Sequence, residues 1–362
     1  MRVRSLPLLA VAALFLSLPV AAAAEPAKEH VYEGTVGAAP VVLALYDGPG
    51  DPSGHYFYRS KRFEIDLSGT EKDGTLALES QLTGDHLTLT RADAGLTGML
   101  TTKGSRRLPV SLRPAGTPAA LPDDLPPDLG LYERWRLAGL RFTPQQAETI
   151  DGRTVRWYRE GLTGMRLFRL ERGYAAPAMA AINRSLARHQ WTEVSNWLQC
   201  PGMDGKSGVE ESEAERPWLG TNHMSYLWRS SWSCAGAAHP DFGQQGYSYD
   251  TRTGRELALD DLLRFGATVP AADSDGWYSY RSDTFGPRVV ALLRRYHPAE
   301  MKPPRAGDED GCDYTDTDVW NFPAWTLSPK GLWLGAYFAR AARACDAPDW
   351  AIIPWSALSV RE

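Results

Sequence analysis

A single stretch of the sequence, CAGAAHPDFGQQGYSYDTRTGRELALDDLL from Cys234 to Leu263, gathers the side chains best suited to contact a ligand. His239 and Pro240 follow a run of small residues and precede an aromatic run of the kind that favours a strand. An imidazole in such a loop can hydrogen-bond a partner, or it can simply fix the loop to its own backbone. The candidate binding residues of the sequence are therefore these: His239, Pro240, Asp241, Tyr247 and Tyr249.

The familiar motifs of catalytic and metal sites are missing from the sequence. Zinc needs three or four convergent ligands, yet the histidines form no HxxxH pattern and the cysteines no CxxC pattern. The acidic run from Asp308 to Asp318 does not match the ligand register of an EF-hand. A serine hydrolase would need a GxSxG elbow, which does not occur. We therefore predict no catalytic residue, no metal site and no cofactor.

Carboxylates and tryptophans leave two other readings open. The spacing of carboxylates along a sequence does not reveal the pair that a glycosidase needs, so a cell-wall hydrolase stays open as the alternative function. Tryptophans stack on sugars, but more often they fill cores or pair across hairpins. The tryptophans considered for stacking are these: Trp218, Trp228, Trp232, Trp277, Trp320, Trp325, Trp333 and Trp355.

The first residues predict export. Arg2 and Arg4 precede an apolar run from Leu6 to Val20, and Ala22 and Ala24 supply the small residues of a cleavage site, as in a secretory signal peptide. Removal of residues 1–24 shifts the formal charge from −5 to −7. A mildly acidic chain argues against nucleic acid as a partner. Because no later run reaches 18 apolar residues, we predict a periplasmic or secreted protein that does not span the membrane.

An even number of cysteines in an exported chain predicts disulfide bonds. Cys200, Cys234, Cys312 and Cys345 allow three pairings. We favour Cys200–Cys234 and Cys312–Cys345, because each pair closes a loop of about 35 residues within one local unit, worth roughly 3–4 kcal/mol. Pairing of all four would exclude a cysteine nucleophile, since the thiolate is the reactive form.

The length, the many aromatic residues and the glycines predict a β-rich chain of more than one domain. Short alternating segments between turn residues predict an antiparallel β-meander over residues 25–113. Five prolines without any helical or strand periodicity in residues 114–130 predict an extended linker between two independently folded units. The predicted fold class is α+β, in which the second domain, residues 131–362, packs helices on an antiparallel sheet.

Within residues 131–362 the pattern predicts several elements. TVRWYREGLTGMRLFRLERG favours a strand pair, and apolar residues three and four apart favour an amphipathic helix over residues 175–198. We predict a surface loop from Pro201 to Pro217, a strand in HMSYLWRSSWSC, and a hairpin turning at Thr253 and Gly254. A short helix at DLLRF, a helix at RVVALLRRYH, a strand pair in AWTLSPKGLWLGAYFA and a closing strand in WAIIPWSAL follow.

This order of elements, with AAINRSL, GAAHPDF, SYDTRTGRELALDDLL and WTLSPKGLWLGAYF, resembles a bacterial extracytoplasmic domain of unknown function. That domain forms the outer part of lysozyme-sensing anti-sigma factors and an accessory part of some peptidoglycan deacetylases. The resemblance covers roughly residues 135–362, with Arg255 in place of the family's lysine and Leu263 in place of its aromatic residue. We recognise neither a deacetylase domain nor a sigma-binding segment.

The resemblance implies a non-enzymatic protein of the cell envelope that binds a lysozyme-like protein or a peptidoglycan fragment. In the relatives this domain meets a protein ligand, which makes the His239-Pro240 loop the expected contact. We favour binding over catalysis, with the cell-wall hydrolase as the alternative. A cluster of unpaired buried carboxylates in a cleft would favour the hydrolase, and an aromatic-rimmed surface without one would favour binding.

Overall fold

The computed structural model describes residues 28–47, 51–92, 94–122, 124–305 and 311–359. The predicted signal peptide, residues 1–24, lies outside these ranges, as does part of the acidic run that begins at Asp308. No helix in the described part of the chain is long and apolar enough to cross a membrane. The structure is mostly β, with an eight-stranded barrel, three further sheets and a few helices.

The N-terminal strands pair antiparallel, each with the next, and the last pairs with the first. Their bounds are β1 Lys28–Val36, β2 Ala39–Asp47, β3 Ser53–Tyr58, β4 Ile65–Lys72, β5 Thr75–Glu79, β6 His86–Ala92, β7 Gly95–Thr101 and β8 Arg107–Pro114. The prediction of a simple meander is therefore wrong in one respect, because the sheet closes into a barrel. An open meander would leave two edges unpaired and its apolar face in water, whereas closure pairs the edges and buries that face.

The inside of the barrel is a packed core. Leucine side chains from alternate positions fill it, among them Leu43, Leu76, Leu89, Leu96 and Leu100, each at most 1% exposed. The outer face of the barrel carries a second cluster, in which Val42 and Phe57 pack against Tyr132 and Trp135. These two aromatic residues belong to helix α1, Leu131–Leu137, so the barrel is attached to the rest of the protein through an apolar contact.

The rest of the chain forms three antiparallel sheets with helices against them. The strands are β9 Phe142–Ile150, β10 Arg153–Glu160, β11 Arg166–Arg172, β12 Val209–Ala214, β13 Trp218–Leu219, β14 His223–Trp232, β15 Asp241–Asp250, β16 Ala324–Ser328, β17 Gly331–Gly335 and β18 Ile352–Pro354. The helices are α2 Ala176–Gln199, α3 Leu259–Leu262, α4 Asp275–Tyr280 and α5 Gly286–Tyr296. The prediction of an α+β domain with helices packed on one antiparallel sheet is thus confirmed only in outline, because the strands form three sheets.

Helix α2 packs against the three-stranded sheet of β9, β10 and β11, and Ile182, Leu186 and Val194 on its inner face are fully buried. The predicted helix over residues 175–198 and the strand pair β10–β11 are confirmed. Asn183 completes the edge of β11, since its side chain accepts from Leu170 N at 2.8 Å and donates to Leu170 O at 2.9 Å.

Two local predictions are wrong. The predicted surface loop from Pro201 to Pro217 contains strand β12, which pairs with β14. The predicted hairpin around Thr253 and Gly254 has no second strand, because β15 pairs along its whole length with β14 and only one bridge, Tyr249 to Glu256, follows the turn. The hairpin is therefore β14–β15, and the loop that contains His239 and Pro240 joins its two strands.

The turn after β15 is set by the carboxylate of Asp250, whose Oδ1 accepts from Arg252 N at 2.8 Å and from Thr253 N at 3.1 Å. Burial alone would raise the pKa of Asp250, but the hydrogen bonds and the ion pair with Arg252 outweigh it and lower the pKa to about 2. The resulting stabilisation is complete above the unfolded-state pKa and is lost as the pH falls through the folded-state value.

We expect Asp250→Asn to lower the free energy of unfolding by about 1 kcal/mol at pH 7, after allowance for solvent screening. The difference from wild type should shrink as the pH falls from about 4 to about 2. Urea unfolding at both ends of this pH range measures it. A difference that stayed constant over the range would show that the charge of Asp250 does not stabilise the turn.

Both predicted disulfides are present, Cys200–Cys234 and Cys312–Cys345, with sequence separations of 34 and 33 residues. The first ties the end of α2 to the loop between β14 and β15. The second ties the segment before β16 to a 3₁₀ turn, Arg340–Cys345, that follows β17. Each bond thus fixes a segment at the same end of the β14–β15 hairpin, which is where the structure places a cleft.

Candidate functional site

A cleft of about 680 Å³ opens where the β14–β15 hairpin ends and the chain leaves β17. We call it the aromatic cleft and define it by these residues: Trp232, Asp241, Phe242, Gln244, Phe322, Tyr337 and Arg343. Its walls come from β14, β15, the segment after β17 and the 3₁₀ turn Arg340–Cys345. The site is therefore assembled from segments about 100 residues apart in sequence, as in the bond between Arg343 and Asp241.

Exposed aromatic rings gather around this cleft. The described part of the chain exposes six large hydrophobic side chains, and three of them, Phe242, Phe322 and Tyr337, line the cleft with 46%, 47% and 58% of their surface exposed. A fourth, Tyr278, packs edge-on against Phe322 with ring centroids 5.9 Å apart. Such a concentration of exposed apolar surface is typical of interaction surfaces and ligand-binding grooves.

Arg343 holds two of these rings in place. Its guanidinium lies 4.4 Å from the ring centroid of Phe242 and 4.9 Å from that of Tyr337, within the range of cation–π attraction. It donates to Asp241 Oδ1 at 2.9 Å, to Phe242 O at 2.8 Å and to Asp346 Oδ2 at 2.8 Å. The side chain is only 10% exposed, so these bonds are protected from water and fix the rings before any ligand arrives.

Next to the cleft, strands β14 and β15 pack closely against strand β16 of the β16–β17–β18 sheet. A Cβ on Gly246 would lie 1.5 Å from Trp325 O, so only glycine allows the two backbones to approach here. Ser225 Oγ accepts from Leu327 N at 3.0 Å and bonds Ser248 Oγ at 2.6 Å. These contacts hold the two sheets together, and the cleft lies beyond them at the Trp232–Asp241 end of the hairpin.

The buried carboxylates of the cleft are paired. Asp346 bonds Arg343 and accepts from Phe338 N at 2.7 Å. Asp241 bonds Arg343 and lies 3.5 Å from Arg340. The remaining acid of the lining, Glu211, is exposed. No unpaired buried carboxylate therefore faces this cleft in the described residues.

The candidate loop lies beside the cleft. His239 and Pro240 are exposed, and His239 Nδ1 lies 3.2 Å from Pro240 O. Pro240 O also accepts from Arg340 Nη2 at 2.7 Å, and Asp241 is part of the cleft itself. Of the five candidate binding residues, the structure thus brings these three together at one end of the hairpin.

Tyr247 and Tyr249 lie farther along β15, roughly 20–27 Å from Asp241 at the rise of a strand. Tyr249 is fully buried, and its hydroxyl lies 3.1 Å from Ser185 Oγ on α2. Tyr247 is partly buried and stacks on His189 with ring centroids 3.8 Å apart. Both rings pack against α2 and do not line the cleft, so neither is a candidate to contact a ligand there.

The candidate tryptophans also include both core residues and residues at the cleft. Trp228 and Trp320 are buried core residues with 3% and 0% exposure. Trp232 lines the cleft, and Trp277 packs against Phe322 with ring centroids 5.3 Å apart. The sequence pattern did not identify four residues of the cleft as candidates: Phe242, Phe322, Tyr337 and Arg343. A partial signal for Phe242 was its place next to the His239 loop, but nothing in the sequence relates Arg343 to it.

A second group of side chains, with atoms of the kind that bind metal ions, lies between the barrel and α1. Ligand atoms of His55, Glu64 and Asp66 lie within 4.8 Å of one another, on neighbouring strands and the loop between them. Burial raises the pKa of Glu64 and lowers that of His55. Arg136 already pairs with Glu64 at 3.0 Å and would repel a cation, so we assign this group to the attachment of the barrel.

No protein-family model matches the sequence, and no curated protein is significantly similar to it. The resemblance of residues 135–362 to the envelope domain therefore stays a prediction.

Proposed function

We propose that this chain is a non-catalytic exported protein of the cell envelope that binds a glycan strand in the aromatic cleft. The observation that carries the proposal is the set of exposed rings around one cleft, two of which contact the guanidinium of Arg343. A pyranose ring presents an apolar face of C–H groups, which packs against an aromatic ring. Its hydroxyl groups would meet the polar side chains between the rings, such as Gln244.

The state of the acids supports binding over hydrolysis, and the other features support an exported protein with a glycan ligand. The buried acids of the cleft are engaged by arginines, and the cleft is open enough for a chain of sugars to lie across its rim. The two disulfides support export, because such bonds persist in oxidising compartments. The resemblance to the envelope domain points to the same compartment and leaves a lysozyme-like protein as the other partner.

The experiment is a binding comparison with purified mature protein. It uses a β-1,4-linked N-acetylglucosamine oligosaccharide, peptidoglycan fragments of defined length, and lysozyme, each titrated by calorimetry. We expect saturable binding of the sugars that strengthens with chain length, together with no release of reducing ends over hours. Binding of lysozyme alone would replace the glycan with a protein partner, and release of reducing ends would replace binding with hydrolysis.

The exposed loop beside the cleft gives a second measurement. We expect His239→Ala to weaken ligand binding several-fold, because the imidazole is exposed on the loop that leads into the cleft residue Asp241. The melting temperature should stay within a few degrees, since one kcal/mol moves it by only about 2–4 °C in a chain of this size. Strong destabilisation with unchanged affinity per folded molecule would instead make the loop purely architectural.

A further inference from the structure

A second cavity, of about 750 Å³, lies between the linker, the β9–β10–β11 sheet and the outer side of α2. We call it the linker pocket. One wall is the docked linker itself, in which Ala120 O accepts from Gly139 N at 2.6 Å and Asp124 Oδ1 accepts from Trp191 Nε1 at 2.9 Å. The predicted extended linker is thus held against the protein here, and it closes a space that would otherwise be a shallow groove.

Arg169 lines this pocket and is 9% exposed. Its guanidinium donates to Phe168 O and to Gln190 Oε1, both at 2.9 Å, and it lies about 5.5 Å from the rings of Phe142 and Tyr158. Among the described residues no carboxylate forms an ion pair with it. Burial lowers its pKa to about 10, so it stays charged at neutral pH.

A buried cation is costly unless an anion compensates it, and the carboxylate of Asp124 does so here only in part, since it attracts Arg169 without forming an ion pair with it. Here the guanidinium is fixed by Gln190, which is itself fully buried and donates to Tyr158 O and Met165 O at 3.0 Å. Two neutral acceptors use only part of the donor capacity of a guanidinium. The guanidinium therefore keeps donor capacity and a charge that Asp124 offsets only in part, and it lines an open cavity.

The other charges of the pocket have the same sign or are engaged. Arg141 and Arg184 line it and are exposed. Of the two acids in the lining, Glu171 pairs with Arg156, and Asp124 accepts from Trp191. Apolar side chains supply much of the remaining surface, among them Leu121, Leu140, Phe142 and Ala187.

We propose that the linker pocket binds a small organic carboxylate with an apolar body, whose carboxylate bonds Arg169 while its body lies against the apolar walls. A guanidinium and a carboxylate match in geometry and form strong charge-assisted hydrogen bonds. Arg141 and Arg184 would attract the anion to the entrance. This inference is independent of the aromatic cleft, which shares no residue with the pocket.

The test uses octanoate and 1-octanol as probes that differ in the carboxylate, each titrated into the full mature protein. We expect octanoate to bind at least about 10-fold more tightly, and the indole N–H resonance of Trp191 to shift on binding. Arg169→Met should remove this preference while 1-octanol still binds. Ala180→Trp, at an exposed position in the lining, should block both probes without disturbing the core.

The second variant keeps the test usable if Arg169→Met fails to fold. Ala180→Trp fills the pocket from an exposed position and leaves the buried network around Arg169 intact. Equal affinity of wild type for both probes would reduce the pocket to an apolar cavity and overturn the proposal. The absence of any octanoate binding at millimolar concentration would overturn it as well, and so would octanoate binding that Ala180→Trp leaves unchanged.

Discussion

Simultaneous replacement of Phe242 and Tyr337 by alanine is expected to weaken glycan binding by about 100-fold. Both rings are about half exposed and are already oriented by Arg343, so little ordering opposes their contact with a ligand. Each ring removed should cost about 1.5 kcal/mol, and two such losses correspond to about two decades in affinity. Calorimetric titration with the longest sugar that binds wild type measures the effect.

Leu162→Ala provides the matched control. Leu162 is 44% exposed, much like Phe242, but it does not line the aromatic cleft. We expect this variant to bind as wild type does and the double variant to unfold at a similar temperature. Affinity of the double variant within about 3-fold of wild type would mean that the ligand contacts a different surface.

The largest effect on stability is expected from Arg136→Met. Arg136 is fully buried, and its guanidinium pairs with Glu64 of the barrel and with Glu133 of α1. Glu133 in turn accepts from Ser195 Oγ of α2 at 2.6 Å. Removal of the arginine would leave two partly buried carboxylates without their cation, which costs about 3–5 kcal/mol in comparable cases.

Urea unfolding of Arg136→Met and of Arg113→Met separates this buried junction from an ordinary surface pair. Arg113 is 74% exposed and pairs with Glu33 at 3.1 Å, so its loss should cost at most about 0.5 kcal/mol. A loss below about 1 kcal/mol for Arg136→Met would show that the barrel and the second part barely depend on each other. That result would favour the predicted independence of the two units.

The sequence predicted best where one pattern decides one element. The spacing of Ile182, Leu186 and Val194 within a long run is typical of a helix with one buried face, and the favoured disulfide pairing followed from loops of similar length. Closure of the barrel was not predictable in this way, because pairing of β1 with β8 joins residues about 80 apart and leaves no local signal.

The site was predicted only in part for a related reason. His239, Pro240 and Asp241 could be located from local composition, since small residues and proline mark a loop. Local composition made Tyr249 an equally good candidate for ligand binding. Its burial is decided by tertiary packing, since its ring lies against α2 with its hydroxyl near Ser185. Tyr337 and Arg343 have no local pattern, and long-range bonds such as that from Arg343 to Asp241 bring them to the loop.

The closure of the barrel has a consequence for how this protein should fail under stress. A closed barrel offers no free strand edge, whereas the three small sheets end in strands such as β9, β12 and β18. Unpaired edges are the templates on which misfolded chains add to one another. When the protein is heated or its disulfides are reduced, intermolecular β-structure should therefore start in residues 142–354, and the barrel should enter the aggregates last.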